Sequence, residues 1–133
     1  MTADAPKPRP WGVSDREAID LCREWMGHLG ADDTRASEGP TRDVCDLYSS
    51  HFLGWVENRR GNLEVDAVER AAATSAGDGR SPLLFLPGGV VPEARDRADA
   101  LGVALLRFRA RDGALDGVNG LGRHARSVGL ADR

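Results

Sequence analysis

The chain has 133 residues, enough for one domain that buries roughly two thirds of the surface its unfolded form exposes. Hydrophobic residues at 41% and charged residues at 29% suit a globular protein, and no apolar stretch approaches the roughly 20 residues of a membrane-spanning helix. A net charge of −3 argues against generic electrostatic binding of nucleic acid, which a basic domain would show, but not against a local basic patch.

Residues 1–13 are proline-rich and lack an apolar signal core, so they are expected to form a disordered arm on a cytoplasmic protein. Ser14, with Glu17 three residues later, makes a capping box for a first helix. Ala18, Leu21, Cys22, Trp25, Met26 and Leu29 then recur at helical spacing up to Gly30. A short first strand is expected within 31–36, after which SEGPT reads as a turn. Segments 43–48 (DVCDLY) and 52–58 (FLGWVEN) read as strands of a hairpin joined through Ser49, Ser50 and His51.

Asn62 is placed to cap a second helix through Val65, Val68, Ala71 and Ala72, ended by Gly77 and Gly79. The run 82–86, PLLFL, suits a strand covered on both faces. A third helix over 92–101 starts on a proline and stops at Gly102, and 103–108 forms the last expected strand. The remainder is glycine-rich, with at most one short helix around 121–128. The order α-β-β-β-α-β-α-β implies one α/β domain over 14–133. Its expected core is a mixed sheet of four to five strands with helices on both faces and a loose C-terminal tail.

Cys22 and Cys45 make neither a disulfide framework nor a four-ligand zinc site, and Cys22 falls in the apolar pattern of the first helix as a buried thiol. His28, His51 and His124 show no ligand spacing. Side chains alternate along a strand, so Glu57 and Arg59 share a face with Leu53 and Trp55 if the second hairpin strand runs that far. Asp43, at the start of the preceding strand, is expected near the same end. Two carboxylates beside a cation suit magnesium-dependent phosphodiester hydrolysis: hard oxygen ligands hold the ion, which acidifies a water, while positive charge steadies the phosphate. By spacing alone, charged residues at strand ends are more often simply solvated.

Order and motifs together resemble the Mrr-like branch of the restriction-endonuclease-like nucleases, the PD-(D/E)xK fold. The turn G-x-D-G-G-[IV]-D of that branch is matched by Glu38-Gly39-Pro40-Thr41-Arg42-Asp43-Val44, and its strand ending Q-x-K or E-x-K by Leu53-Gly54-Trp55-Val56-Glu57-Asn58-Arg59. The later strand is matched by Leu83-Leu84-Phe85-Leu86, and the A-x-x-x-G-[IV] segment by residues 98–106. The likeness spans roughly 14–126. It implies a DNA endonuclease in which Asp43, Glu57 and the Asn58 carbonyl hold Mg²⁺ or Mn²⁺, Arg59 contacts the scissile phosphate and Glu17 assists from the first helix. Arg42, Arg59, Arg60, Arg107 and Arg109, with Arg111 beyond, would meet DNA. A homodimer or an unseen partner chain would be needed to cut both strands.

Two departures stand out. Thr41 and Arg42 replace the glycines before the family aspartate, and Arg59 stands where the family has its catalytic lysine. Arginine stays protonated and cannot act as a general base. Lys7 is the only lysine among 18 basic residues, so the exchange fits a coding bias as well as a loss of turnover. The competing reading is therefore an inactive nuclease fold that binds DNA or a protein partner, and a third is a fold relative with an unrelated role.

Overall fold

The computed structural model describes residues 4–59 and 61–130. Helix α1 (Asp15–His28) opens on the expected capping box: Ser14 Oγ accepts from the Glu17 N–H, and the Glu17 carboxylate accepts from the Ser14 N–H. Its buried stripe is Ala18, Leu21, Cys22, Trp25 and Met26. Strand β1 (Arg35–Ala36) leads into a short 3₁₀ turn (Gly39–Asp43), and β2 (Leu47–Tyr48) and β3 (Phe52–Val56) form the hairpin. Then follow α2 (Val65–Asp78), β4 (Ser81–Leu86), α3 (Pro92–Leu101), β5 (Ala104–Arg109), β6 (Ala114–Gly117) and α4 (Gly120–Val128).

The six strands make one mixed sheet in sequence order. β1, β2 and β3 run antiparallel, β3, β4 and β5 parallel, and β6 returns antiparallel to β5. The expected count of four to five strands was short by β6, which has one aliphatic side chain of core size, Leu115, among Ala114, Asp116 and Gly117. Two apolar layers clothe the sheet. Leu47, Phe52, Leu83, Phe85, Leu106 and Phe108 pack with α1 and Ala125 of α4. Leu84, Leu86, Val103 and Leu105 pack with Val68 and Ala71 of α2 and with Ala94 and Ala98 of α3. Trp25, Leu53, Leu84, Phe85, Val103 and Leu105, expected inside, are all buried.

Several local readings shift. The strand expected from residue 43 begins at Leu47, because Pro40 and the turn before it put residues 39–43 into the 3₁₀ conformation. Helix α2 starts after Glu64 without a side-chain cap, so Asn62 is not its N-cap. Instead Asn62 lies where the loops after β3 and β4 meet: Leu63 N–H donates to the Gly89 carbonyl, and Val91 N–H donates to Leu63. A Cβ on Gly88 would come within 2.7 Å of the Gly61 carbonyl oxygen, which explains the glycine pair after β4. Of the N-terminal arm, Pro6 is buried and the Arg9 N–H donates to the Ala110 carbonyl at 2.6 Å.

Candidate functional site

The hairpin register decides which side chains meet. Leu47 faces Gly54 and Tyr48 faces Leu53, so continuing the ladder sets Asp46 opposite Trp55. Residues directly opposite each other point to the same side, and Trp55 and Glu57 share that side, so Asp46 and Glu57 are diagonal neighbours. The same count would set Asp43 against Asn58, on the other face. The structure brings Asp46 to this end with a departure from that register: its N–H donates to the Gly54 carbonyl, one residue short of Trp55, while its Oδ2 accepts from the Val56 N–H at 2.7 Å. Glu57 is held at the main chain, its N–H donating to the Phe85 carbonyl on β4.

Asp46 is half-buried. Burial pushes its carboxyl above the usual carboxylate range; the Val56 N–H opposes this, the charge of Glu57 adds to it, and Arg42 pulls back. The two acids line a cavity of about 510 Å³ between the hairpin and α2, together with Asp43, Val44, Trp55, Ala67, Arg70, Ala71 and Thr74. Trp55 is fixed in its wall by donating from Nε1 to the Val44 carbonyl at 3.0 Å. The small residues Ala67, Ala71 and Thr74, spaced three and four apart on α2, leave this space open. Arg70 is its one cationic lining residue among the described residues. A second cavity, about 240 Å³, continues past Glu57 and is lined by Arg59, Asn62, Glu64, Asp66, Arg70 and Pro87 among others.

The residues singled out from sequence are distributed as follows. Asp43 ends the 3₁₀ turn, exposed at the rim of the larger cavity. Arg59 is 81% exposed and turns its Nε toward Glu57 Oε2 at 3.5 Å, while Glu57 is only 25% exposed. The Asn58 amide donates to Asp15 at the start of α1. Glu17 is engaged with Ser14 in the capping box and lines neither of the two cavities that Glu57 lines. Arg107 and Arg109 project from β5 toward Asp116 of β6, at 4.0 and 3.1 Å. Arg60 lies outside the described residues.

Asp46 and Arg70 were missed by reading motifs. Asp46 was legible, because a tight turn through 49–51 fixes the register and with it the face. Arg70 had no such signal: it is one of 17 arginines in the chain, and only the placement of α2 beside the hairpin end selects it.

The donor chemistry suits Mg²⁺ or Mn²⁺. These ions keep several waters and need only one or two protein carboxylates beside substrate oxygens. Among the described residues no group of three or more His, Cys, Asp or Glu side chains gathers for a metal, so an ion here would rest on the Asp46 and Glu57 pair. Comparisons with protein-family models, curated proteins and solved structures give no match for this chain.

Proposed function

We propose that the chain is a DNA endonuclease-like protein whose site serves metal-dependent phosphodiester hydrolysis. The observation that carries this reading is the Asp46 and Glu57 pair at the hairpin end, sharing one cavity with Arg70. The element order, an antiparallel β1-β2-β3 unit followed by parallel crossovers, supports it as the arrangement that the Mrr-like resemblance implies. Asp46 and Glu57 would hold Mg²⁺, with the Asn58 carbonyl next in the chain. The ion would supply an acidified water and a charge on the phosphate oxygens. Arg70, exposed at the wall of the cavity, sets positive charge beside the two acids, where a phosphate would need it.

One observation favours the second reading, a binding scaffold. Arg59 faces Glu57 and the solvent, so the cation at the lysine position partly neutralises a metal ligand instead of serving as a base. Nicking of supercoiled plasmid in Mg²⁺ or Mn²⁺ separates the two. The enzyme reading predicts that Arg59→Lys raises nicking, that Glu57→Gln abolishes it, and that Arg70→Ala lowers it about tenfold or more. If wild type and Arg59→Lys both bind DNA and neither nicks it, the scaffold reading replaces the enzyme.

A further inference from the structure

Trp11 is 94% exposed, a large apolar surface left in water on a short turn. That turn is well held. Arg9 N–H donates to the Ala110 carbonyl, Gly12 N–H donates back to Arg9, and the Arg9 guanidinium reaches the Glu24 carboxylate at 2.5 Å. Gly12 has φ +79°, a left-handed conformation that glycine reaches without a Cβ clash, next to the exposed indole. Pro8 packs against Gly113 in the turn between β5 and β6. The exposed ring is therefore mounted on a fixed corner built from the N-terminal segment and the β5–β6 turn.

That corner ends a groove of about 500 Å³ lined by Gly12, Val13, Asn58, Pro87, Arg109 and Arg111, with Phe108, Ala110 and Asp112. Gly12 and Val13 also border the surface that Trp11 lines. At its other end the groove shares Pro87 with the cavity that holds Glu57 and Arg59. That cavity in turn shares Glu57 and Arg70 with the Asp46 cavity. The groove, with Phe108 and Asn58, lies on the α1 side of the sheet and the cavities beside Glu57 on the α2 side. Both border Pro87, so a strand that crosses the C-terminal edge of the sheet there makes one track from the carboxylate pair to the indole. Its groove segment carries Arg111 and Arg109, the latter also paired with Asp116 of β6 at 3.1 Å, beside the carboxylate of Asp112.

We infer that this track binds a single strand of DNA, with Arg109 and Arg111 on its phosphates and an unpaired base stacked on Trp11. The inference rests on the proposed nuclease-like reading for its direction and names the substrate class of that site. Arginine forks match phosphate oxygens, and an exposed indole stacks on any base whose face is free. A duplex hides those faces except at its ends, so a free ring at the track's end selects unpaired strands.

Fluorescence tests this without any need for catalysis. Trp25 is buried and Trp55 is partly covered, so the iodide-quenchable emission belongs to Trp11. In EDTA and low salt, a twelve-nucleotide oligo(dT) should quench that emission saturably, and a blunt duplex of the same length should do so much more weakly. Trp11→Ala should weaken binding roughly five- to hundredfold by anisotropy, Trp11→Phe only a few-fold, and Arg111→Ala should lessen the salt dependence. Quenching without nicking in any protein leaves the strand-binding track standing and overturns only the nuclease reading; nicking without quenching does the reverse. Equal affinity in Trp11→Ala overturns the track. So does quenching by anionic vesicles but not DNA, or by raising protein concentration alone.

Discussion

At the residue scale, Asp46 shows the cost of holding a carboxylate ready in a half-buried place. Its raised pKa means that the folded protein binds a proton more readily than the unfolded chain there. Stability from this group is complete below the ordinary carboxylate pKa of about 4 and falls as pH rises toward the folded value. Asp46→Asn keeps an acceptor for the Val56 N–H and removes the buried charge. It should raise the thermal midpoint at pH 7, and the gain should shrink toward pH 4. A midpoint lowered equally at both pH values would show that Asp46 is a purely structural group. Asp33 and Glu17 lie on the other side of this contrast. Both are exposed, and both are held below the usual carboxylate range by serine hydrogen bonds, from Ser50 and Ser14. Neither faces a cavity with a second acid and a cation, so neither competes as the site.

At the element scale, the segment after β5 carries the strongest structural demand that the sequence leaves implicit. Asn119 is buried and caps α4: its Oδ1 accepts from the Gly122 and Leu105 N–H groups, and its Nδ2 donates to the Val103 carbonyl at 2.8 Å. One side chain thus joins a helix start to the neighbouring strand. Cβ atoms added to Gly117 or Gly122 would fall on backbone, the first on residues 122–123 and the second on the Leu105 carbonyl oxygen. The glycines read from sequence as looseness are here the condition for close approach of α4 to β5 and β6. Asn119→Ala should cost about 3 kcal/mol or more in denaturant unfolding, because the lost cap leaves buried backbone groups unpartnered. Gly122→Ala should be at least as damaging. Losses under about 1 kcal/mol in both would show that this end of the sheet is not tied down as described.

The legibility of the rest follows the same physics. Helices α1 and α3 and strand β4 announced themselves because capping, periodicity and apolar runs are local signals. Strand β6 did not, because four residues with one core-sized side chain gain their stability from pairing with β5, which the sequence does not display. The carboxylate pair falls between these cases. Glu57 was visible as the acid closing a strand, whereas its neighbour needed a register count, and motif matching pointed to Asp43 on the adjoining turn.

At the scale of the whole molecule, the sheet sorts its two ends. The C-terminal ends of the parallel strands carry Glu57, the Pro87 loop and Arg109, which is where open α/β sheets commonly bind ligands. Among the described residues no helix is long and apolar enough to cross a membrane. The acidic net charge makes the account depend on local arginines, so DNA binding should weaken steeply with salt but with a slope set by few contacts, on the order of 0.7 per phosphate for a single strand. A slope that implies many more contacts would place the DNA elsewhere on the surface.

The proposed divalent-ion site depends on Asp46 and Glu57 together. Loss of the free Mn²⁺ electron paramagnetic resonance signal on adding protein measures this directly. Wild type should bind one Mn²⁺ per chain, and Asp46→Asn and Glu57→Gln should each abolish it while Asp43→Ala weakens it only slightly. No binding by the wild-type protein, or binding unchanged in both Asp46→Asn and Glu57→Gln, would contradict the account.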